Sequence, residues 1–383
     1  MKPLVNPGPA LNAAQTARYS RHLSLPGFGE DGQRRLAAAR VLVVGAGGLG
    51  APVLQYLVAA GVGRITVIDD DVVESSNLQR QVLHRQADLG RPKAESARDA
   101  ALRLDSASQV TPIVGRLDES NALELFASHD LVIDGSDNFA TRYLSNDAAE
   151  ITGTPLVWGT IFRFEGQVSV FWPGQGPMLR DLFPDIPDAD SVPNCAEGGV
   201  LGVLCGTIGS AMATEAVKII CGIGEPLVGR LMIYDALAAG YTFLQLAIDP
   251  DREKVTELAS DYAFSCEVET PVVEVSIDDL ASERSGEGAP VVLDVREDWE
   301  RGIVSIPDDR WVPLGRIREG GWSAVADAVA DPAGNAPAEV VVYCKAGVRS
   351  AEAVRLLSAG APAGTRLRSL AGGVLAVPGA PRY

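Results

Sequence analysis

The chain has 383 residues, 46% of them hydrophobic and 22% charged, and a formal net charge of −17. That length favours two domains of ordinary globular composition, and the excess of carboxylates excludes a general nucleic-acid binder, which needs clustered Lys and Arg. No uncharged apolar run of about twenty residues occurs. Residues 1–30 carry Arg18, Arg21 and His22 instead of a signal-peptide apolar stretch, so a cytoplasmic protein without a membrane span is expected.

In chain order, buried strands are predicted at Val41–Val44, Arg64–Asp69, Val110–Val114 and Leu131–Asp134, short β-branched runs bounded by turn residues. Helical periodicity separates them at Ala51–Ala60, Lys93–Leu104, Asn121–Ala127 and Thr141–Ile151. This alternation predicts an α/β fold with a Rossmann-like, doubly wound, mainly parallel sheet. Strands at Pro155–Phe162 and Gln167–Phe171, a small-residue helix at Cys205–Cys221 and the stretch Leu231–Ile248 complete a first domain over 1–248. The polar run Asp249-Pro250-Asp251-Arg252-Glu253-Lys254 opens a linker predicted over 249–270. A second, smaller α/β domain is predicted over 271–383, with strands at Val272–Val275, Val291–Val295 and Val340–Tyr343 and helices at Ile277–Ala281 and Ser350–Ala359. Loops are expected at 284–290 and 331–338.

The first strand enters the turn Gly45-Ala46-Gly47-Gly48-Leu49-Gly50 and then a helix. Gly45, Gly47, Gly48 and Gly50 allow a tight turn at which backbone N–H groups and a helix N-terminus face a phosphate. Alone, this spacing divides evenly between a dinucleotide site and another nucleotide or packing role. Asp69 ends the second strand about twenty residues on, placed to accept from a ribose hydroxyl. To this point an NAD-dependent dehydrogenase fits as well. Beyond it, Asn77-Leu78-Gln79-Arg80-Gln81 supplies an amide and a guanidinium, and Gly90-Arg91-Pro92-Lys93 puts a lysine at a helix start. Asp134-Gly135-Ser136-Asp137-Asn138 puts a carboxylate at the end of the fourth strand, where open α/β sheets bind ligands. Arg80 and Lys93 can neutralise a triphosphate, and Asp137 can hold Mg²⁺. Each has a plainer role when taken singly: a solvated cation, or a helix cap. The ordered set favours attack at phosphorus over hydride transfer.

Arg18-Tyr19-Ser20-Arg21, the glycine turn, Asp69 to Asp71, NLQRQ, GRPK and DGSDN occur in the order found in ubiquitin-activating-like adenylyltransferases. Residues 10–248 resemble in particular the bacterial enzymes that adenylylate the sulfur carrier subunit of molybdopterin synthase and related carriers. The resemblance implies ATP as the nucleotide and, as substrate, the C-terminal glycine carboxylate of a small ubiquitin-like protein ending in Gly-Gly. The products would be an acyl adenylate and pyrophosphate. By motif, Asp69 would bind ribose; Asn77, Arg80 and Lys93 the phosphates; Asp137, with Asn138 beside it, the Mg²⁺–ATP. A homodimer is implied as well, with Arg21 reaching the ATP of the partner subunit.

The five cysteines, Cys195, Cys205, Cys221, Cys266 and Cys344, are scattered and form no CxxC pair, which disfavours both a disulfide framework and a four-cysteine zinc site. Ser191 to Val200 resembles the family's crossover segment, whose cysteine lies near the carrier's tail. Three roles stay open for Cys195: thioester acceptor, resolving thiol, or no role. Cys205 and Cys221 bracket an apolar helix as packing residues. Many members of the family hold zinc with two CxxC pairs. Here Met178 and Asp181 stand at the first pair and no cysteine stands at the second, after Asp249-Pro250, so no structural zinc is expected.

Near the other end of the chain, the strand Val340 to Tyr343 enters Cys344-Lys345-Ala346-Gly347-Val348-Arg349-Ser350. The backbone N–H groups of such a loop and the helix after it stabilise an anion, lowering a thiol pKa and holding a persulfide. CxxGxR, with Asp294-Val295-Arg296-Glu297, Ile303 to Pro307 and Leu370 to Val374, resembles the rhodanese-like sulfurtransferases over residues 272–378. This implies a persulfide on Cys344 loaded by a cysteine desulfurase or from thiosulfate. A cysteine followed five residues later by arginine also describes protein tyrosine phosphatases, but Tyr343 stands where their histidine precedes the cysteine. Inactive rhodanese modules usually lack the cysteine. The combined expectation is ATP-dependent adenylylation of a carrier followed by sulfur transfer to give its thiocarboxylate, for molybdopterin, cysteine, thiamine or another sulfur-containing metabolite. A scaffold that docks a ubiquitin-like protein is the non-enzymatic rival, and intact Arg80, Lys93, Asp137 and Cys344 argue against it.

Overall fold

Four β-branched runs form one half of the first sheet: β1 (Arg40–Val44), β2 (Arg64–Asp69), β3 (Gln109–Val114) and β4 (Leu131–Asp134). The burial of β1 and β4 on both faces is what a parallel sheet covered by helices requires, while β3 is a largely exposed edge. With β5 (Leu156–Phe162), β6 (Glu165–Phe171), β7 (Arg230–Asp235) and β8 (Gly240–Gln245) they build an eight-stranded sheet in the order β3-β2-β1-β4-β5-β6-β7-β8. The strands from β3 through β5 are parallel, and β6, β7 and β8 add antiparallel at one side. The coordinates are a computed structural model and describe residues 1–186, 199–260, 262, 272–284, 286, 288–331 and 333–380.

The chain separates into two compact units, Met1–Cys266 and Glu267–Tyr383. In the first, one apolar core lies on each face of the sheet. The helix Gly202–Cys221 is long and apolar enough to cross a bilayer by length and composition. Here it packs into the core, and its buried Glu215 accepts a hydrogen bond from the Leu227 N–H at 2.8 Å. Arg252, Leu258 and Tyr262, which the sequence pattern puts in the linker, are tied to this first unit: Leu258 and Tyr262 join a core cluster, and Arg252 pairs with Glu150 and Asp181. A polar run can thus be structural when its cation meets buried carboxylates.

The second unit holds β9 (Glu274–Val275), β10 (Val291–Asp294), β11 (Arg310–Trp311), β12 (Glu339–Tyr343) and β13 (Arg366–Leu370), all parallel in the order β11-β10-β12-β13-β9. Sequence patterning does not predict β11 or β13. The first is two residues long, and the second carries Arg368, a strand-interior cation that reads as loop until its partners Glu283 and Glu339 are in place.

Candidate active sites

Parallel register sets the ends of β1, β2 and β4 level: Val44 pairs with Ile68 on one side and with Asp134 on the other. Strand order reverses here, with β2 and β4 flanking β1, and this switch point is where open α/β sheets bind ligands. A cavity of about 310 Å³ lies there, lined by Gly45, Gly47, Gly48, Asp69, Arg80, Gln81, Lys93, Asp137, Asn138 and Arg142, among others. Gly45 has φ +88° and a Cβ on it would meet the Gly135 carbonyl at 3.2 Å. Gly50 does not line the cavity; a Cβ there would stand 1.9 Å from the Gly45 carbonyl oxygen, so this glycine lets turn and helix close on each other.

Asp69 holds the turn. Its Oδ2 accepts from the Ala46 N–H at 2.7 Å and its Oδ1 from the Asp71 N–H at 2.9 Å. Burial pushes its carboxyl above the ordinary range, against the lowering effect of these amides and of Lys93. Each oxygen retains a lone pair for a ribose hydroxyl. The Lys93 ammonium is buried and pairs with Asp71 at 2.7 Å, and Arg80 donates to the Ser76 carbonyl at 3.1 Å. With Arg116, just after β3, three cations therefore line the β2 side of the cavity. Asp137 is exposed on the β4 flank, and Asn138 caps the helix Phe139–Thr152 through the Thr141 N–H at 2.9 Å.

Besides Gly50, two predicted residues sit outside the cavity lining. Asn77 is outside the cavity lining, and its side-chain oxygen accepts from the Glu74 N–H at 3.1 Å, closing a short 3₁₀ turn that positions Arg80. Arg21 is exposed on the helix Ser20–Leu23 and does not line the cavity of its own chain. Cys195 lies outside the described residues, as does Cys266.

Three side chains at this site carry no role in the sequence reading. Gln81 is buried beside Gly47 with an unpartnered Oε1. Arg142 is buried with its Nε unpartnered. His84 bonds the Ala46 carbonyl through Nε2 at 3.0 Å and Ser96 Oγ through Nδ1 at 2.8 Å. Gln81 belongs to NLQRQ and so was within reach of motif reading; the other two become visible only as three-dimensional contacts.

In the second unit Cys344 follows the central strand β12 and is 1% exposed. Its Sγ accepts from the Gly347 N–H at 3.1 Å, and Ser350 Oγ stands 3.5 Å away. Gly347 has φ +105°, which turns its amide toward sulfur and starts the helix Val348–Ser358. The segment after β13 braces the loop: Val374 N–H donates to the Cys344 carbonyl at 2.8 Å and Leu375 N–H to that of Lys345 at 3.1 Å. Arg349 is held by Glu300 through two bonds of 2.7 Å. Burial raises the Glu300 carboxyl, but Arg349, the Glu297 amide and Arg296 together outweigh it and leave the group below its usual range. The arrangement of Cys344, Lys345, Ala346, Gly347, Val348 and Arg349 is a loop wrapped on sulfur with a helix N-terminus behind it, suited to a thiolate or persulfide. Cys205 and Cys221 are buried; burial pushes the Cys221 thiol up to about 12, which makes it inert.

Where family members bind zinc, the described residues do not suit that metal. Asp181 accepts from Arg252 at 2.8 Å and from the Met178 and Asp249 N–H groups, and Arg252 also engages Glu150 at 3.0 Å. A guanidinium among these carboxylates occupies the place of a cation and is not a ligand.

A switch-point cavity with three cations on one side and a carboxylate on the other, and a cysteine loop of anion-binding form, define a nucleotidyltransferase joined to a sulfurtransferase. The ThiF family profile matches residues 19–255 and the rhodanese-like domain profile residues 277–377. The chain belongs to the ThiF family and carries a rhodanese-like domain. It is 48% identical over 372 residues to the probable adenylyltransferase/sulfurtransferase MoeZ of Mycobacterium tuberculosis, covering 92% of this chain and 91% of that protein. Identity is 40% over 375 residues to the adenylyltransferase and sulfurtransferase MOCS3 of Sus scrofa, 92% of this chain and 82% of that one. The SAMP-activating enzyme E1 of Haloferax volcanii is 51% identical over 242 residues, 63% of this chain and 89% of its own. Crystalline E. coli MccB with ATP shares the fold, with TM-score 0.55 at 20% identity over 62% of this chain and 74% of that chain.

Proposed function

We propose that this enzyme adenylylates the C-terminal glycine of a small ubiquitin-like sulfur carrier protein and then delivers sulfur from Cys344 to give the carrier thiocarboxylate. The observation that carries this reading is the presence, on one chain, of the switch-point cavity with Arg80, Lys93 and Asp137 and of the Cys344 loop. In the first step a carboxylate oxygen attacks the α-phosphorus of ATP, the Pα–O–Pβ bond breaks, and pyrophosphate leaves with the electron pair. Arg80 and Lys93 hold the departing charge, and Asp69 orients the nucleotide through its ribose. Asp137 is an accessible oxygen ligand that fits Mg²⁺, and the ion when bound neutralises phosphate charge.

In the second step a Cys344 persulfide attacks the acyl carbon and AMP leaves, giving an acyl disulfide. A thiol then cleaves it to thiocarboxylate, and Cys195 is the proposed attacker; the resulting disulfide is reset by an external thiol. The persulfide sulfur comes from a cysteine desulfurase or thiosulfate. We further propose a homodimer in which Arg21 serves the partner subunit's nucleotide, a zinc-free first unit, and a cytoplasmic setting, where a working thiol stays reduced.

The test is the intact mass of a Gly-Gly-ending carrier after incubation with enzyme, Mg-ATP and thiosulfate. A gain of one sulfur for one oxygen is expected, while Cys344→Ser should keep carrier-dependent ATP–pyrophosphate exchange and lose the thiocarboxylate. Loss of both activities in a folded variant would refute separate sites.

A further inference from the structure

Arg142 sits in the first turn and a half of the helix Phe139–Thr152 and is 6% exposed, yet it lines the switch-point cavity. Among the described residues no carboxylate lies within ion-pair distance of its guanidinium, and Asp134 feels it only through space. The Phe139 and Trp158 rings lie 5.5 and 5.9 Å from its central carbon, and one Nη donates to the Ser136 carbonyl at 3.3 Å. Among the described residues its Nε has no hydrogen-bond partner, and neither has Asp134 Oδ2, so these two groups do not bond each other. The buried Arg296 and the half-buried Arg180, Arg252 and Arg349 differ in that each holds a carboxylate within 3.0 Å. A buried cation without an anion is costly to maintain, and one that faces a cavity is a site prepared for an anionic ligand.

The position says which anion. Arg80 and Lys93 approach the cavity from the β2 side, where the glycine turn places the phosphates. Arg142 comes from the β4 side, next to Asp137, with Ile161 and Val200 lining the same cavity. Resting on the adenylylation reading above, we propose that Arg142 is the receptor for the carrier's C-terminal carboxylate and holds it for attack on the α-phosphorus. A carboxylate brought against a triphosphate meets like-charge repulsion, and a guanidinium fork on its outer side offsets that repulsion while fixing one oxygen toward phosphorus. The O–Pα bond forms as the Pα–O–Pβ bond breaks, so Arg142 takes and gives no proton.

The experiment compares two forms of one Gly-Gly-ending ubiquitin-like carrier, with a free C-terminal carboxylate and with a C-terminal amide, binding to the full-length enzyme loaded with a non-hydrolysable Mg-ATP analogue. Wild type should prefer the carboxylate form by tenfold or more. Arg142→Gln, at unchanged Tm, should bind the two forms equally and bind the ATP analogue within twofold of wild type. Should that variant fail to fold, Arg142→Lys keeps the charge without the fork, and the preference should shrink several-fold. Retained preference in a folded Gln variant overturns the proposal, as does an equal loss of nucleotide affinity, which would assign Arg142 to the phosphates. If wild type supports no carrier-dependent pyrophosphate exchange with any such carrier, the adenylylation reading itself falls and this proposal with it.

Discussion

His84 shows how one buried side chain can govern a nucleotide site it does not line. The Ala46 peptide unit is gripped on both sides, its N–H by Asp69 at 2.7 Å and its C=O by His84 Nε2 at 3.0 Å. Burial first, and then Lys93, lower the imidazole pKa, against the opposing pull of the Ala46 carbonyl, so the ring is neutral at pH 7. A neutral ring that serves the Ala46 carbonyl carries its proton on Nε2. His84→Leu leaves a buried carbonyl unpaired in the middle of the phosphate turn, a loss of about 1–3 kcal/mol. The expected outcome is a rise of about tenfold in the KM for ATP, one such unit being about 1.4 kcal/mol, with kcat little changed. His84→Gln, whose amide nitrogen reaches the same carbonyl, should recover most of it. Steady-state pyrophosphate exchange on both variants checks this, and equal KM values for Leu and Gln would refute the clamp.

At the scale of elements, what was legible in the sequence is what is periodic or covalently local. β2 and the helix Lys93–Leu104 fall where apolar alternation and the Lys93 start signal predict. Glycine position was equally readable. Gly347 at φ +105° is a requirement of backbone geometry, and any L side chain there pays steric strain of about 1–2 kcal/mol while misdirecting the amide that faces Cys344. Gly347→Ala should therefore cut thiosulfate sulfurtransferase activity by at least tenfold and leave carrier adenylylation intact, a split that paired assays would read. What was not legible depends on partners distant in sequence. Arg252 reads as part of a polar linker because Glu150 and Asp181, its partners, lie 102 and 71 residues away. Arg142 reads as an ordinary helix cation because only folding reveals that it is buried with its Nε unpartnered among the described residues. Breaking the Arg252 cluster with Arg252→Ala strands two buried carboxylates, at a cost of about 3–5 kcal/mol, and should lower the Tm of the first unit in calorimetry. Although burial alone would raise Asp181, Arg252 and the Met178 and Asp249 amides hold it below the ordinary carboxylate value. Its contribution is thus complete above pH of about 4 and is lost as pH falls through the lowered pKa; the wild-type and Ala melting curves should converge in acid.

At the scale of the whole molecule, the proposed homodimer would share each site between two chains. Arg80, Lys93 and Arg116 line one side of the cavity, whereas Arg21, which belongs to the N-terminal motif of the family, is exposed and outside it. If Arg21 works on the nucleotide of a partner subunit, it and Asp137 must be supplied by different chains, and two dead variants can rescue each other. Arg21→Ala homodimers would have intact cavities and no reaching arginine, while Asp137→Ala homodimers would have the arginine and no metal ligand. On mixing with free subunit exchange, half the dimers are mixed, and in each of these one of the two sites combines a wild-type Asp137 with a wild-type partner Arg21. Activity should return to about a quarter of wild type, as closed two-fold symmetry dictates. Recovery near that value in carrier-dependent pyrophosphate exchange requires a shared site, because an arginine acting within its own chain leaves every site in every combination defective. No recovery, in a mixture shown by native mass to contain mixed dimers, would return Arg21 to its own subunit and leave Arg80 and Lys93 as the cations that meet the departing pyrophosphate.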